Sequence, residues 1–532
     1  MKLLRIAGIK LALDENEEQL SQKAAAILVV SPSNIANCRI IKKAIDARRN
    51  KPPHFVYVVQ LTVADDFPVP RDLPEGIQVR ELEDQLPEPL FTGIFKPALP
   101  VVVAGSGPAG LFAAYVLAAR GLPVVLLERG TAIEKRTKDV QAFWGKGILN
   151  PASNVLFGEG GAGTFSDGKL TSRSKNPYSF WVKKILVEMG APQAILTDAK
   201  PHVGTDQLTK VVINLRNKLA SMGCAIRFEA QITDFIVRQG RLAAVIVNEK
   251  EEIKTEQLVL AIGQSADDTY RKLQVSGVKM EAKPFAMGLR VEHPQELINS
   301  LQYGKWSGHP HLPPAEYFVT AAIPALNRSV YTFCMCPGGE VIGCSAFPGY
   351  VLTNGMSKSL RNGKFANSAI VVNVRVDDFA LRGELLAGLE FRARWEKKAF
   401  EAGGSNYCAP VQRLTDFLEK KAADSAGPTS FRPGTKPAAL DDVLPLFVAG
   451  ALRAGIYEFN RKMPGFVTAE AQLIGVETRT SSPVRICRKG DGQSETVRGL
   501  YPCGEGSGYA GGIISSAMDG IKAAENLIAN LA

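Results

Sequence analysis

The stretch PVVVAGSGPAGLFAAYVLAARGLPVVLLERG, residues 100–130, decides the fold. A short run of valines predicts a buried strand, a glycine-rich turn follows it, and the next apolar run is long enough for a helix. A second apolar run then ends at Glu128. A strand, a tight turn, a helix and a second strand in this order form a βαβ unit, which predicts a parallel sheet of the Rossmann type.

The turn between the first strand and the helix has the GxGxxG spacing of a dinucleotide-binding loop. Gly105 permits the tight turn, Gly107 lets the backbone approach a pyrophosphate, and Gly110 lets the helix pack closely on the strand. The helix start presents free N–H groups and the positive end of its dipole to the phosphates. Glu128 can accept hydrogen bonds from both ribose hydroxyls, and its charge disfavours the 2′-phosphate of NADP. The predicted cofactor contacts of this unit are Gly105, Ser106, Gly107, Pro108, Ala109, Gly110, Glu128 and Arg129.

The βαβ unit alone does not distinguish FAD from NAD, but the sequence YPCGEGSGYAGGII, residues 501–514, does. This sequence resembles the closing motif of FAD enzymes in the glutathione-reductase-like superfamily. The resemblance implies that an acid at the strand end holds the ribityl or pyrophosphate portion, with Glu505 where Asp is usual, and that the helix start faces the flavin. A helix N-terminus there stabilises the negative charge of a reduced flavin. The resemblance also implies contacts at Ile232, Ala261, Gly263, Gly504, Glu505, Gly511, Gly512 and Ile513.

Longer strings resemble one family more closely. NVLFGEGGAGTFSDGKL (154–170), KPFAMGLRVEHPQ (283–295) and CGEGSGYAGGI (503–513) are similar to a bacterial and plastid group of uncharacterised FAD-dependent dehydrogenases. The resemblance implies a non-covalent FAD and an FAD-dependent oxidoreductase acting on an unidentified organic substrate. It also implies a loop beside the pyrophosphate and the flavin ring, whose small residues let backbone N–H groups face a ligand. That loop contains Gly160, Gly161, Ala162, Gly163 and Thr164.

Changes of pattern along the chain predict four segments: an N-terminal α/β domain with a Pro-rich linker (1–95), the first part of an FAD-binding domain (96–280), an inserted substrate domain (281–465), and a segment that completes the FAD-binding domain (466–532). The expected fold class is α/β, or α+β overall. It combines a Rossmann-type domain with a parallel sheet, an inserted mixed or antiparallel sheet, and a small N-terminal α/β domain.

In the N-terminal segment we expect a strand over Leu3–Leu13, a helix that is capped by Asp14 and runs to about Leu28, and a strand over Phe55–Val63. A second helix is expected to start near Ser31, with one face carrying Arg39, Lys42, Lys43 and Arg49. That face is either a stripe that contacts anions or RNA, or an ordinary solvated surface. Residues 66–99, rich in proline and acids, are expected to form a linker or strap.

A flavin carries the redox chemistry itself, so no side-chain nucleophile is required. Asp167 and Lys169 follow the glycine-rich loop, and Lys169 is a candidate either to approach flavin N5 or a substrate anion, or to form a salt bridge. Cys334 and Cys336 are either redox-active or structural; alternate residues of a regular strand point to opposite faces, which argues against their pairing. Candidates to bind a substrate carboxylate or phosphate through a guanidinium group are Arg290, Arg413 and Arg461.

The cysteine pattern excludes some classes of site. Eight cysteines in 532 residues are too sparse for a disulfide framework, and zinc-type CxxC pairs are absent, so we expect a reducing cytoplasm and no metal. His309 and His311 lack a nearby third ligand. The interval between Cys38 and Cys224 holds no cysteine, which excludes a disulfide reductase with a CxxxxC pair after its first βαβ unit. A second, nicotinamide-binding GxGxxG is also absent, so we expect NAD(P)H only as a transient electron donor, or a partner protein in its place.

The net charge of +10 indicates a solvated basic surface or an anionic substrate or partner. The N-terminus lacks the apolar region of a signal peptide, and no apolar run is long enough to span a bilayer, so we expect a cytoplasmic protein. Two alternatives to a small-molecule oxidoreductase stay open. One is an RNA- or tRNA-modifying flavoprotein, which the basic charge favours. The other is a non-catalytic flavin-binding scaffold that recruits a partner through its N-terminal domain.

Overall fold

The computed structural model describes residues 1–48, 51–65, 67, 69–70, 72–82, 97–172, 176–380 and 384–531. Its N-terminal elements are β1 (Lys2–Ala12), α1 (Gln19–Leu28), β2 (Asn37–Asp46), β3 (His54–Val63) and β4 (Gln78–Leu82). The strands form an antiparallel sheet in the order β2-β3-β1-β4. Every second residue of β3 is buried, and this face shares a core with α1, as the two-residue period of a strand requires.

Residues 37–46 form a strand, so the predicted second helix is wrong. β2 pairs with β3 from Asn37 opposite Thr62 to Asp46 opposite His54. Pairing in the sheet outweighs the helical spacing of the charges, because propensity yields to tertiary contacts. Arg39, Lys42 and Lys43 are therefore strand residues, and Arg49 lies outside the described residues.

The outer edge of β2 joins the N-terminal unit to the rest of the chain. The Lys43 N–H donates to the carbonyl of Thr197 at 2.8 Å, and the Ala199 N–H donates to the carbonyl of Lys43 at 2.8 Å. Two other expectations for this segment are corrected. α1 begins at Gln19, without a side-chain cap from Asp14, and residues 78–82 of the expected linker are a strand paired with β1.

The segment after residue 97 builds the first part of the α/β domain. Its elements are β5 (Val101–Ala104), α2 (Pro108–Ala119), β6 (Val124–Leu127), α3 (Ile133–Lys146), α4 (Tyr178–Glu188), α5 (Thr205–Ser221), β7 (Ala225–Arg227), β8 (Ile232–Arg238), β9 (Arg241–Val247), β10 (Glu251–Lys254), β11 (Leu258–Leu260) and α6 (Asp267–Val275). β5 is wholly buried and pairs in parallel with β6 on one side and β11 on the other. The strand order reverses at β5: β6 follows on one side of it, and the later strand β11 lies on the other. Such a reversal opens a crevice at the carboxyl ends of β5 and β11.

The inserted segment forms a second, mostly antiparallel sheet. Its elements are β12 (Met280–Ala282), β13 (Phe285–Pro294), α7 (Gln295–Tyr303), β14 (Thr320–Ile323), β15 (Arg328–Gly343), β16 (Thr353–Met356), β17 (Phe365–Val374), α8 (Ala387–Ala402), β18 (Ala409–Arg413), α9 (Leu414–Glu419), β19 (Thr435–Pro437), α10 (Leu446–Lys462), β20 (Gln472–Glu477) and β21 (Val484–Ile486). The order is β14-β15-β17-β13-β20-β18-β19, with β16 paired to β15. Because β20 belongs to this sheet, the insert extends beyond residue 465.

The chain then returns to the parallel sheet with β22 (Leu500–Pro502) and α11 (Ile513–Leu531). β22 pairs in parallel with β11, which completes the order β22-β11-β5-β6-β7. α11 packs against α2 so closely that a Cβ added at Gly520 would lie 2.0 Å from the carbonyl oxygen of Ala109. This parallel sheet confirms the Rossmann-type fold. In the described part of the chain, none of the helices combines the length and apolarity needed to cross a bilayer.

A buried ion pair joins two strands of the inserted sheet and gives a stability test. Arg290 on β13 donates to both carboxylate oxygens of Glu477 on β20 at 2.8 and 2.9 Å, and its side chain is 0% exposed. Removing one partner of such a pair costs about 3–5 kcal/mol, since the other charge stays buried. We expect Arg290→Met to lower the thermal midpoint of unfolding by on the order of 10 °C.

The matched control for this variant is Arg461→Met. The Arg461–Glu458 pair is exposed, with 72% and 39% of the side chains accessible, and exposed pairs contribute at most about 1 kcal/mol. Circular dichroism during heating checks both variants. Equal midpoints for Arg290→Met and Arg461→Met would show that the buried pair does not hold the sheet.

Candidate active site

A cavity of about 1040 Å³ lies between the carboxyl ends of the parallel sheet and the inserted sheet. One wall is formed by the loops after β5, β6, β11 and β22, as expected for the crevice of an open α/β sheet. The other wall comes from the insert. From the predicted set it is lined by Gly105, Gly107, Pro108, Ala109, Glu128, Arg129, Gly161, Ala162, Gly163, Asp167, Lys169, Ile232, Ala261, Gly263, Cys334, Gly504, Glu505, Gly511, Gly512 and Ile513. Ser106, Gly110, Gly160, Thr164 and Cys336 are not lining residues.

Two glycines of the first turn are required by the protein itself. A Cβ added at Gly110 would lie 1.8 Å from the carbonyl oxygen of Gly105. Gly105 has a φ of +98°, and a Cβ there would lie 2.4 Å from the carbonyl oxygen of Ala261. These contacts let α2 start directly against β5, with its free N–H groups at the cavity wall.

Three other glycines leave room that only a ligand would fill. Gly107 has an ordinary φ of −74°, and the nearest atom to an added Cβ is the Cα of Gly161 at 3.8 Å. An added Cβ at Gly511 would meet no described atom within 4 Å, and at Gly512 only Ser515 Oγ at 3.9 Å. All three line the cavity. Both helix starts therefore expose bare backbone to the cavity, which fits a dinucleotide packed along it.

The carboxylate of Glu128 connects the loops of this wall. Oε2 accepts hydrogen bonds from the backbone N–H and the hydroxyl of Ser106 at 2.9 and 2.7 Å, and Oε1 accepts from the N–H groups of Gly130 and Gly158 at 2.9 and 3.0 Å. A carboxylate has about four acceptor positions. The four donors from Ser106, Gly130 and Gly158 therefore occupy all of them. The ribose contact of Glu128 stays a prediction, and a ribose hydroxyl would have to share these positions.

Arg136, which the sequence interpretation missed, orders the glycine-rich loop from beneath. Its guanidinium is 0% exposed and donates to the carbonyls of Asn154 and Val155 at 2.9 and 2.8 Å, and also to carbonyls within residues 158–161. The carbonyl oxygens of the loop are thus held away from the cavity. A signal was present, since Arg136 occupies the apolar helix face formed by Ile133, Val140 and Phe143.

Glu505 is half-buried at the cavity wall, in the turn that follows β22. Burial raises its pKa to about 7, although its carboxylate accepts a hydrogen bond from the side-chain amide of Gln264 at 2.7 Å. Gln264 also donates to the carbonyl of Arg479 at 2.6 Å. Glu505 can therefore hold or release a proton close to neutral pH beside the start of α11.

Asp167 and Lys169 face the insert across the cavity. Burial opposes the charge of Asp167, but Lys169 and Arg361 outweigh it and hold the pKa of Asp167 down to about 2. Arg361 donates to Asp167 Oδ1 at 3.1 Å, and Lys169 Nζ lies 3.2 Å from Asp167 Oδ2. Lys169 Nζ is buried and forms no hydrogen bond of good geometry with any described residue. It therefore presents an ammonium group that an anion in the cavity can use.

Cys334 and Cys336 lie at an irregularity of β15, so the predicted arrangement on opposite faces is wrong. The register with β17 shifts between Phe333 and Cys336, and Cys334 has a φ of +46°. This bulge breaks the alternation of a regular strand. The bulge folds the Cys336 side chain back toward Cys334, so that Cys336 Sγ lies 3.3 Å from the carbonyl oxygen of Cys334.

The environment of Cys334 favours its thiolate. The hydrogen bond from Cys336, together with the charges of Lys169 and Arg290, overcomes burial and lowers the pKa of Cys334 to about 6. The pKa of Cys336 is raised well above its ordinary value by the Cys334 thiolate and by burial. Cys334 lines the cavity, whereas Cys336 is 0% exposed behind it.

The structure does not bring the three arginine candidates to the cavity. Arg290 is bound by Glu477, Arg413 ends β18, and Arg461 pairs with Glu458 on the surface. None of the three is a lining residue. His309 and His311 lie near Asp14 at 3.4 and 3.9 Å, and the described residues contain no cluster of three or more metal-ligating side chains.

Comparisons with known proteins match three parts of the chain. Residues 100–160 match an FAD binding domain, residues 284–480 match the description "FAD-dependent protein, C-terminal domain-like", and residues 4–62 match a domain of unknown function. The first of these matches includes the turn whose Gly107 leaves room for a ligand, so the cofactor of the cavity is FAD.

Over 528 residues the chain is 42% identical to an uncharacterised protein of Clostridium beijerinckii, covering 99% of this chain and 98% of that protein. Among solved structures, GidA of Aquifex aeolicus is 11% identical with a TM-score of 0.38, over 81% of this chain and 63% of that chain. A glycerol-3-phosphate dehydrogenase of Bacillus halodurans complexed with FAD is 11% identical with a TM-score of 0.36, over 81% and 64%. The chain spans less than two thirds of each of these two structures.

The glycines give a paired test of the cofactor wall. We expect Gly107→Ala to leave the melting temperature of the FAD-free protein unchanged and to weaken FAD binding about tenfold or more, because a Cβ fits the protein but not a close pyrophosphate. Gly110→Ala should instead lower the melting temperature of the FAD-free protein, since its Cβ collides with the backbone of Gly105. Flavin-fluorescence titration and thermal melts measure the two effects. Unchanged FAD affinity in Gly107→Ala would contradict this assignment.

The thiol of Cys334 should be alkylated by iodoacetamide with a midpoint near pH 6, because the thiolate is the reactive form and its pKa is lowered to about 6. The rate should rise from about pH 5 and level off near pH 7. Cys38, whose pKa is raised by burial, is an internal control that should react only at more alkaline pH. Peptide mass spectrometry separates the two sites. A Cys334 midpoint as alkaline as that of Cys38 would contradict the electrostatic account.

Proposed function

This chain belongs to a family of FAD-dependent proteins that includes the Clostridium beijerinckii protein, and from this we propose that it is an FAD-dependent oxidoreductase of a small organic anion. The observation that carries the proposal is the ammonium of Lys169, which is ion-paired with Asp167 but forms no hydrogen bond of good geometry with a described residue, and which lies in the same cavity as the bare helix starts at Gly107 and Gly512. The cofactor site and the Lys169 ammonium, which can still donate hydrogen bonds, therefore lie in the same cavity.

The charge of Lys169 is secure at neutral pH. Burial disfavours it, but the Cys336–Cys334 pair and the Asp167 carboxylate outweigh burial and raise the pKa of Lys169. The Asp167 carboxylate is itself engaged by Arg361 and by Ser357, so it does not fully neutralise the ammonium. A carboxylate or phosphate of a substrate would gain a charge-assisted hydrogen bond there.

The remaining wall indicates the shape of the substrate. The insert contributes aromatic side chains to the cavity, at Tyr317, Phe318, Tyr331 and Phe333. Such side chains pack against apolar or planar groups. We therefore propose a substrate with an anionic group bound at Lys169 and an apolar body held against these rings.

Bound FAD supplies the two-electron chemistry. The residues of the chain position the reactants: Lys169 orients the anionic group, and the Asp167–Arg361 pair fixes Lys169. Glu505, with a pKa of about 7, holds or accepts a proton at its carboxylate near the start of α11.

The alternative of an RNA-modifying flavoprotein relied on a basic helix, and the residues concerned form β2 instead. Lys43 pairs with Glu17 at 2.6 Å, and its backbone is bonded to residues 197–199. The basic helix face that would have contacted RNA phosphates is therefore not formed by residues 37–46, and the RNA alternative loses this support. The transient NAD(P)H donor and the electron-transfer partner stay predictions.

Anaerobic mixing of the FAD-loaded protein with a panel of carboxylates and phosphates tests the proposal through bleaching of the flavin absorbance. For an anion that bleaches it, we expect Lys169→Met to raise KM about 10- to 100-fold, since a hydrogen bond to a charged group contributes about 1.5–3 kcal/mol. Lys169→Arg should recover part of this loss.

The control is Lys135→Met. Lys135 is an exposed residue of α3 outside the cavity, and its ammonium pairs with Glu229. This variant should leave KM and kcat unchanged. If no anion in the panel bleaches the flavin while neutral analogues do, or if Lys169→Met keeps the wild-type KM, the anionic substrate class is refuted.

A further inference from the structure

The bulge of β15 places two sulfur atoms where a regular strand would separate them. Left-handed backbone is unfavourable for a residue with a Cβ, and Cys334 adopts it with a φ of +46°. The result is that Cys336 Sγ lies only 3.3 Å from the carbonyl oxygen of Cys334, and both cysteines are free thiols. From this geometry we propose that Cys334 and Cys336 are a redox-active dithiol that exchanges an electron pair with the bound FAD.

Access to the cavity gives the two cysteines different roles. Cys334 is a cavity-lining residue, so it can meet the cofactor or an external thiol that enters the cavity. Cys336 is 0% exposed, and its Sγ lies 3.3 Å from the carbonyl oxygen of Cys334. An accessible thiol backed by a hidden one is the arrangement of an attacking and a resolving cysteine.

Cys334 also lies near the flavin end of the cofactor wall. Together with burial, its charge raises the pKa of Glu505, which lies between β22 and the start of α11. On the other side, Lys169 and Arg290 favour the thiolate, which is the nucleophilic form of a cysteine. The same positive charge of Lys169 would stabilise negative charge gained by the cofactor.

Cys344 shows that burial in this cavity does not by itself produce such a site. It lines the same cavity, just after the end of β15, but its thiol donates to the carbonyl of Leu352 at 3.6 Å. Burial raises its pKa well above the ordinary value. Cys344 is therefore a suitable control: its thiol is protonated and bonds to a backbone carbonyl, not to a second cysteine.

The reaction balances without a further reactant. The Cys334 thiolate and the Cys336 thiol lose two electrons and one proton as their Sγ–Sγ bond forms. Oxidised FAD takes up both electrons and the proton and becomes the anionic reduced form, FADH⁻. In the reverse direction the disulfide accepts the electron pair from reduced FAD, and an external dithiol or oxidant completes a cycle.

The test counts electrons in the full-length, FAD-loaded protein. The protein is reduced, reoxidised in air and titrated anaerobically with dithionite, and the peptide containing residues 334–336 is then analysed by mass spectrometry after alkylation. We expect wild type to consume twice as many electrons per FAD as Cys336→Ser, and its reoxidised peptide to contain an internal disulfide. Cys344→Ser should behave like wild type. A parallel sample stripped of FAD should form the disulfide at least tenfold more slowly.

Three results would overturn the proposal: equal electron counts in wild type and Cys336→Ser, two alkylated thiols in the reoxidised wild-type peptide, or a disulfide that forms equally fast without FAD. If Cys336→Ser does not fold, the number of electrons that wild type consumes per FAD, and the rate of disulfide formation without FAD, still test the proposal. The assay contains no substrate, and flavin absorbance reports cofactor loading separately. Its failure is therefore distinguishable from failure of the anion-oxidoreductase proposal.

Discussion

The cavity depends on the buried carboxylate of Glu128, which binds two loops at once. The Ser106 hydrogen bonds hold the turn before α2, and the Gly158 hydrogen bond holds the glycine-rich loop beside it. With these loops fixed, the Cα atoms of Gly107 and Gly161 come so close that a side chain on Gly161 would collide at 2.9 Å. A buried carboxylate is stable only when such donors satisfy it, so the ion and the loops require each other. The bare backbone offered to FAD follows from this mutual constraint.

The parts that could be predicted from sequence are those in which local pattern and tertiary structure agree. The turn at Gly105–Gly110 needs its glycines for contacts with its own neighbours, so the motif and the geometry coincide. The return of the chain to the parallel sheet at β22 was predictable because the closing motif repeats the same strand, turn and helix order. The N-terminal segment shows the limit. Charges at helical spacing in residues 39–43 belong to a strand, because pairing on both of its edges outweighs local preference.

At the site, the residues of the cofactor wall could be predicted from the sequence more completely than those of the opposite wall. Arg361 pairs with Asp167 across almost two hundred residues, and nothing in the local sequence of either residue indicates the other. The bulge at Cys334 arises from the register between β15 and β17, which is set by the whole sheet and not by the CxC string. Arg290 was noticed as a charged residue in a family-like string, but burial with Glu477 makes it part of the sheet that supports the cavity.

The position of β22 in the parallel sheet has a consequence for synthesis of the protein. β5 and α2 leave the ribosome early, yet one side of β11 has no strand beside it until residues 500–502 are made. The second helix start that faces the cavity, at Gly512, emerges later still. Both helix starts that face the cavity are therefore present only after residue 512 has been made. Until then the nascent chain carries an open sheet edge, which favours protection by chaperones.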